Sequence, residues 1–304
     1  MWFKQIQLFQ LADTKRYIAE NFLDKLESLA FKPCLPFMPT SNGWVSPVDE
    51  ENAPLIQVMN GYLMICLQIE EKILPAAVIN QELKERVKQI ELEEGRKVYQ
   101  KRKMALKDEV IHTLLPRAFS KFTRIYAYID PKNNWLVLGT THEKKTEQFL
   151  SLFKKSVTEK VDNFQMKKLS PIITHWLKHQ SYPSSFVIEK SCLLQDPKEQ
   201  NRTIRCQQQN LFADAIQSFI KEGCEVMEIA LGWHDRVNFV LADDFSLRSI
   251  RYQEEITAQV KEMEAETKLQ QFNADFFIMS ATLSQLLTEL LELFLDKVEI
   301  KMTA

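Results

Sequence analysis

The sequence predicts an α+β chain with mixed and antiparallel sheets, a protruding helical hairpin and a helical C-terminus. Three observations carry this expectation. Short alternating or continuously apolar runs recur between turn residues on either side of Pro75 to Leu115, as strands do. The Pro75 to Leu115 segment itself is highly charged and has helical spacing. The chain then finishes with Leu283, Leu286, Leu287, Leu290, Leu291, Leu293, Phe294 and Leu295, a pattern that covers more than one face of a helix.

Taken in order, Phe3 to Leu11 alternates as a strand, and Thr14 to Leu29 reads as a helix with Tyr17, Ile18, Phe22, Leu26 and Leu29 on one face. Pro33, Pro36 and Pro39 break the segment that follows. Strands are expected at Gly43 to Val45 and Gly61 to Ile69; the second is nearly all apolar and so central in its sheet. Pro75 opens a helix that Gly95 ends, and a second helix from Lys101 to Leu115 completes an αα-hairpin with Arg96 and Lys97 near its tip. Strands return at Phe122 to Asp130 and Trp135 to Thr141, around a turn with Pro131, Asn133 and Asn134, and rejoin the first sheet. A helix over Lys144 to Ser156 precedes a linker from Val157 to Pro171. Beyond it come a helix at Ile172 to His179, strands at Phe186 to Cys192 and Thr203 to Gln208, and a helix at Leu211 to Lys221. A meander at Glu225 to Gly232, Arg236 to Leu241 and Leu247 to Tyr252 follows, and helices end the chain. The expected organisation is a central α+β domain (1–72 plus 119–165), a basic helical tip (73–118) and a base domain (166–304).

A chain of 304 residues, 45% hydrophobic and 26% charged, can bury a sizeable core. No basic-then-apolar leader opens it and no uninterrupted apolar run approaches a membrane span, so a cytoplasmic protein with no membrane partner is expected. Five scattered cysteines without a CxxC pair read as reduced, mostly buried thiols.

The net charge of −2 conceals a partition. Between Lys72 and Arg124 thirteen cations face seven carboxylates, leaving that segment at +6 and the rest at −8. Such segregation suits a polyanion held on one face of an otherwise acidic molecule. Within it, Arg117, Phe119, Lys121, Phe122 and Arg124 alternate cation with aromatic just past the helix-ending Pro116. That surface can hold phosphates and still offer a ring to a partner, whereas a helix end with basic residues answering its dipole is the plainer alternative.

Catalytic patterns are sparse. Asp49, Glu70 and Lys72 loosely imitate the Asp…Glu-x-Lys set of metal-dependent nucleases, although Glu70 and Lys72 fit equally well as solvated residues at a strand end. His175 and His179 have i, i+4 spacing but lack the glutamate of a zinc-hydrolase helix. Asp243, Asp244 and Ser246 read as a hairpin turn, and no phosphate-cradling glycine loop occurs. Neither a cofactor nor a metal is expected.

The segments MWFKQIQLF, GWVSP, EEKILP, EEGRK, LKDEVIHTLLPRAFSKF, RVNFVLADDFSLRSIRY and FNADFFIMS, in this order and across the whole chain, resemble the RdgC family of proteobacterial recombination-associated proteins. The resemblance implies a ring-shaped homodimer that encircles double-stranded DNA without sequence preference, sits on the nucleoid and restrains the RecA recombinase by occupying its substrate. It implies no enzymatic activity, a metal-dependent nuclease being the alternative. It also places Arg96, Arg117 and Phe119 at the ring opening and DNA path, with Lys97, Lys101 and Lys121 beside them and Phe119 as the dimer contact. Where relatives carry lysines in a strand of the second domain, this chain has Gln207 and Gln208, which can donate to phosphate but release no counterion, so fewer charge contacts are expected there. The leucine-rich terminal helix is either surrounded by core or meets a second subunit.

Overall fold

The computed structural model describes residues 1–12, 20–50, 53–157, 161–164, 166–199, 201–262 and 265–295. Two antiparallel sheets carry it. The first contains β1 (Gln7–Leu11), β2 (Thr40–Val45), β3 (Gln57–Met59), β4 (Tyr62–Lys72), β5 (Ser120–Asp130), β6 (Trp135–Leu138) and β7 (Val161–Asp162). Their order is β2-β4-β5-β6-β1-β7, with β3 and β2 end to end along one edge of β4. The apolar run in β4 is explained by this interior position: Leu63, Ile65, Leu67 and Ile69 face one core while Met64 faces another.

On the first of those faces α1 (Glu20–Ser28) and α4 (Glu143–Ser156) cover the sheet, with Phe22, Leu26, Phe149 and Phe153 buried against it. Trp44 of β2 closes this layer, its indole N–H donating to Ser156 Oγ at 2.8 Å. The predicted first helix begins earlier, at Thr14, and its Tyr17 and Ile18 lie outside the described residues.

β4 and β5 pair from Leu63↔Ile129 to Lys72↔Ser120. The chain therefore leaves the sheet at Lys72 and re-enters at Ser120, and everything between is an insertion joining two neighbouring strands. That insertion is α2 (Ala76–Glu94), α3 (Gln100–Leu114) and a 3₁₀ turn at Leu115–Arg117. Gly95 ends α2 in the left-handed region (φ 65°), its N–H reaching Glu91 O. The two helices pack mainly on each other, burying Ile79, Val98, Leu106 and Val110.

The second sheet contains β8 (Phe186–Gln195), β9 (Thr203–Gln207), β10 (Glu225–Trp233), β11 (Val237–Ala242) and β12 (Leu247–Tyr252), in the order β12-β11-β10-β8-β9. One face packs on α5 (Leu169–His179), α6 (Asp214–Lys221) and α8 (Lys268–Phe294); α7 (Glu254–Glu262) lies against α8. Thr267 and Gln270 form a reciprocal capping box at the start of α8. Leu283, Leu286, Leu287, Leu290 and Leu291 are all buried in a core shared by both sheets, together with Phe3, Ile6, Tyr128 and Trp233. Of the two alternatives for this helix, core is the one realised for these leucines. By length and composition α8 could cross a membrane (mean hydropathy 1.3), yet half of that window is buried inside the fold.

The expected strand from Phe3 divides its pairing between the sheets. Lys4 and Ile6 bond to β12 through Ile250 N–H to Lys4 O (2.8 Å) and Ile6 N–H to Leu247 O (2.8 Å), after which β1 joins β6. Three other expectations need correction. The linker from Val157 to Pro171 contains β7, paired with β1, and α5 starts at Leu169 because Pro171 is tolerated in a helix's first turn. Leu211 to Ala213 precede α6, which begins at Asp214. β3 was not expected at all.

Candidate nucleic-acid interface

The residues singled out in the sequence fall at three places. Arg96, Lys97 and Lys101 lie at the hairpin tip; Arg117, Phe119 and Lys121 lie at its root; Gln207 and Gln208 lie at the end of β9. At 1.5 Å per residue, α2 separates tip from root by roughly 28 Å. The tip and root groups thus lie a helix length apart and do not form a single pocket.

At the tip the turn is tightly built. Glu91 accepts the Val98 N–H at 2.9 Å, and Glu94 receives Arg96 Nε at 3.0 Å and Arg102 at 2.6 Å. Hydrogen bonds from Arg102 and Arg96 hold the Glu94 carboxyl down to about 2. Two of the tip cations are therefore already answered by a carboxylate. Lys97 and Lys101 are exposed and form no ion pair among the described residues.

At the root, Arg117 ends the 3₁₀ turn and the chain is extended from Ala118 on; Arg117, Phe119 and Lys121 are all exposed, while Ala118 and Ser120 are half-buried. Phe119 is 86% exposed, the largest value among the exposed large hydrophobic residues. Its carbonyl is fixed by Ile73 N–H at 2.7 Å, so the ring is displayed from a braced backbone. Exposed Leu35, Phe37, Met38, Ile73 and Phe122 lie on the neighbouring segments, Phe37 stacking on His112 at 4.4 Å. A cluster of this kind is commoner at subunit contacts than on a solvated face.

Glu70 binds this root together. It is 4% exposed, against the expectation of a solvated strand-end residue, because both its oxygens are occupied: Ser120 Oγ donates at 2.6 Å and Cys34 N–H at 2.7 Å. Those bonds, the Ser120 one foremost, lower its carboxyl from the ordinary range. Lys72 lies 3.9 Å away, while Asp49 is exposed and pairs with Arg124 at 3.1 Å. The nuclease-like set is engaged in structural contacts, and no three potential metal ligands come together among the described residues. His175 and His179 sit 4.5 Å apart on the exposed face of α5, and Asp244 caps its own turn by accepting from Ser246 N–H at 2.9 Å.

The second sheet adds residues that sequence reasoning missed. Its outer face curls into an open cleft of about 580 Å³ lined by all five strands. Lys190, Arg205, Arg248 and Arg251 line it together with Gln207, Glu189 and Glu228. Arg248 is committed to Glu228 at 2.5 Å and Asp244 at 3.4 Å. Lys190, Arg205 and Arg251 are exposed and without an ion pair among the described residues. β8, β9 and β12 thus each bring an exposed cation to the cleft that Gln207 lines. Only the alternation of β9, with Arg205 and Gln207 on one side of buried Cys206, offered a sequence signal for this.

Comparison with known proteins gives the family. A family model described as "Putative exonuclease, RdgC" matches residues 1–297. A protein from Aeromonas hydrophila subsp. hydrophila, named recombination-associated protein RdgC, is 35% identical over 292 residues, 95% of this chain and 96% of its own. Proteins of the same name from Yersinia enterocolitica and Serratia proteamaculans are each 34% identical over 295 residues, 96% of this chain and 97% of theirs. On the full-length match and this level of identity, the chain belongs to the RdgC family of recombination-associated proteins.

Proposed function

We propose that this protein binds double-stranded DNA without sequence preference and without cutting it, as a homodimer that closes into a ring around the duplex. By occupying the duplex it withholds substrate from the RecA recombinase, which places it on the nucleoid in the cytoplasm. The observation that carries the reading is a set of exposed cations without an ion pair among the described residues: Lys97, Lys101 and Arg117 on the hairpin, Lys121 at its root, and Lys190, Arg205 and Arg251 in the curled sheet. They stand on a chain whose net charge is −2. Each can displace counterions from a phosphate, a contact that carries no sequence information.

Closure rests on Phe119. Its ring, 86% exposed beside Arg117 and Lys121, fits insertion into an apolar pocket on the second subunit, with exposed Leu35, Phe37 and Met38 on a neighbouring segment. The buried leucines of α8 leave the other contact to different surfaces of the base.

The description of the family as an exonuclease favours a second reading, which the engagement of Glu70 by Ser120 and Cys34 opposes. Incubating supercoiled and linear DNA with Mg²⁺ or Mn²⁺ separates the two. Both substrates are expected back intact, with slower dissociation from closed circles than from linear duplex. Degradation abolished by Glu70→Ala would establish the nuclease instead.

A further inference from the structure

The hairpin tip carries a feature that phosphate binding does not use. Tyr99 is 79% exposed, and its ring has no aromatic neighbour and no hydrogen bond among the described residues. Leu92, 75% exposed, stands on the other arm of the same tip. Two large side chains left in solvent at one tip offer an apolar contact to a further molecule.

The display is built into the turn. Val98, immediately before Tyr99, is buried between the helices and its N–H is held by Glu91. Gly95 supplies the left-handed residue that reverses the chain, and Glu94 ties Arg96 to Arg102 on either side of Tyr99. A ring carried on a backbone braced in this way costs little main-chain freedom on meeting a flat partner.

Charge selects the partner. Arg96, Lys97, Lys101, Arg102 and Lys103 flank Tyr99 within four residues, an aromatic plate set among cations. Nucleobases joined by phosphates match both parts, since any base offers a π-face to the ring while its phosphate meets a cation. In intact duplex those faces are covered by neighbouring base pairs. We infer that Tyr99 stacks on unpaired bases, so that the protein prefers duplex interrupted by a gap or unpaired tract over perfect duplex. The preference rests on the DNA-binding reading above but extends it from shape-blind encirclement to recognition of exposed bases, the structures on which recombination begins and ends.

The test compares a perfect duplex with the same duplex interrupted by a short unpaired tract containing 2-aminopurine, at one salt concentration. Wild type is expected to bind the interrupted DNA more tightly and to quench the 2-aminopurine. Tyr99→Ala should weaken that binding by at least about fivefold, the lower end of one base–aromatic stack, and abolish the quenching. It should leave affinity for perfect duplex and the melting temperature unchanged, and Tyr99→Trp should restore the preference. Equal affinity of wild type for the two DNAs, or equal loss on both in Tyr99→Ala, overturns the inference while leaving duplex binding standing. A change of oligomeric mass in Tyr99→Ala would likewise overturn it, making the ring a subunit contact. Failure of wild type to bind either DNA would instead remove the reading on which it rests.

Discussion

Two carboxylates at the hairpin show how single side chains set the behaviour of the interface. Glu94 pairs with Arg96 and Arg102, so under the proposed DNA binding it would compete with phosphate for both. Glu94→Gln is expected to tighten duplex binding at low salt and to steepen the dependence of log affinity on log salt by up to roughly 2, one for each released arginine. An unchanged slope would show that neither arginine reaches DNA. Glu70 acts on the fold instead. Its carboxyl titrates below the ordinary 4.5, so its contribution is fully present above that value and is lost as pH falls through the lower, folded-state value. Glu70→Gln should therefore cost roughly 1 kcal/mol at neutral pH, and the difference in melting temperature from wild type should shrink in acid. A difference equal at both pH values would remove the ionised form from the explanation. The burial of Glu70 was not legible in the sequence, because Cys34 and Ser120 approach it only through tertiary pairing.

At the level of elements, legibility followed the strength of local chemistry. The hairpin could be read because Pro75 and Gly95 each act on their own backbone, one opening α2 and the other reversing the chain after it. β3 carried an equally local signal that went unused: Asn60 and Gly61, at φ 49° and 82°, form the tight turn that asparagine–glycine favours. β7 has two residues and only its pairing with β1 defines it, so no sequence pattern could mark it. Gly43 in β2 belongs with the tertiary effects. A Cβ there would stand 2.5 Å from the nitrogen of Phe31, whose backbone is held by its N–H bond to Trp44 O at 2.9 Å. Gly43→Ala is expected to destabilise by about 1–3 kcal/mol in denaturant unfolding. A neutral result would mean that the Phe31 to Pro39 loop can shift, and with it the bracing of the root.

For the whole molecule, the sequence exposed the polarity of the design but not its geometry. The +6 segment was countable along the chain, whereas Arg205 and Arg251 line one cleft only because a five-stranded sheet curls and brings its two edge strands to it. Ring closure adds a separate expectation. Phe119→Ala should leave the melting temperature of the dilute protein nearly unchanged, since the ring is 86% exposed, while shortening residence on circular duplex. A loss approaching the roughly 3–5 kcal/mol of an emptied phenylalanine core site would make the residue structural. The central claim is that two cationic surfaces, on the hairpin and in the curled sheet, hold phosphates together. Its most direct test is the salt dependence of affinity for one duplex, measured for wild type, Arg117→Ala, Arg205→Gln and the double variant. Each single substitution should lower the slope by roughly 1 and the pair by roughly 2, alike on unrelated sequences. An unchanged slope in Arg205→Gln with a reduced one in Arg117→Ala would confine DNA to the hairpin and contradict the account.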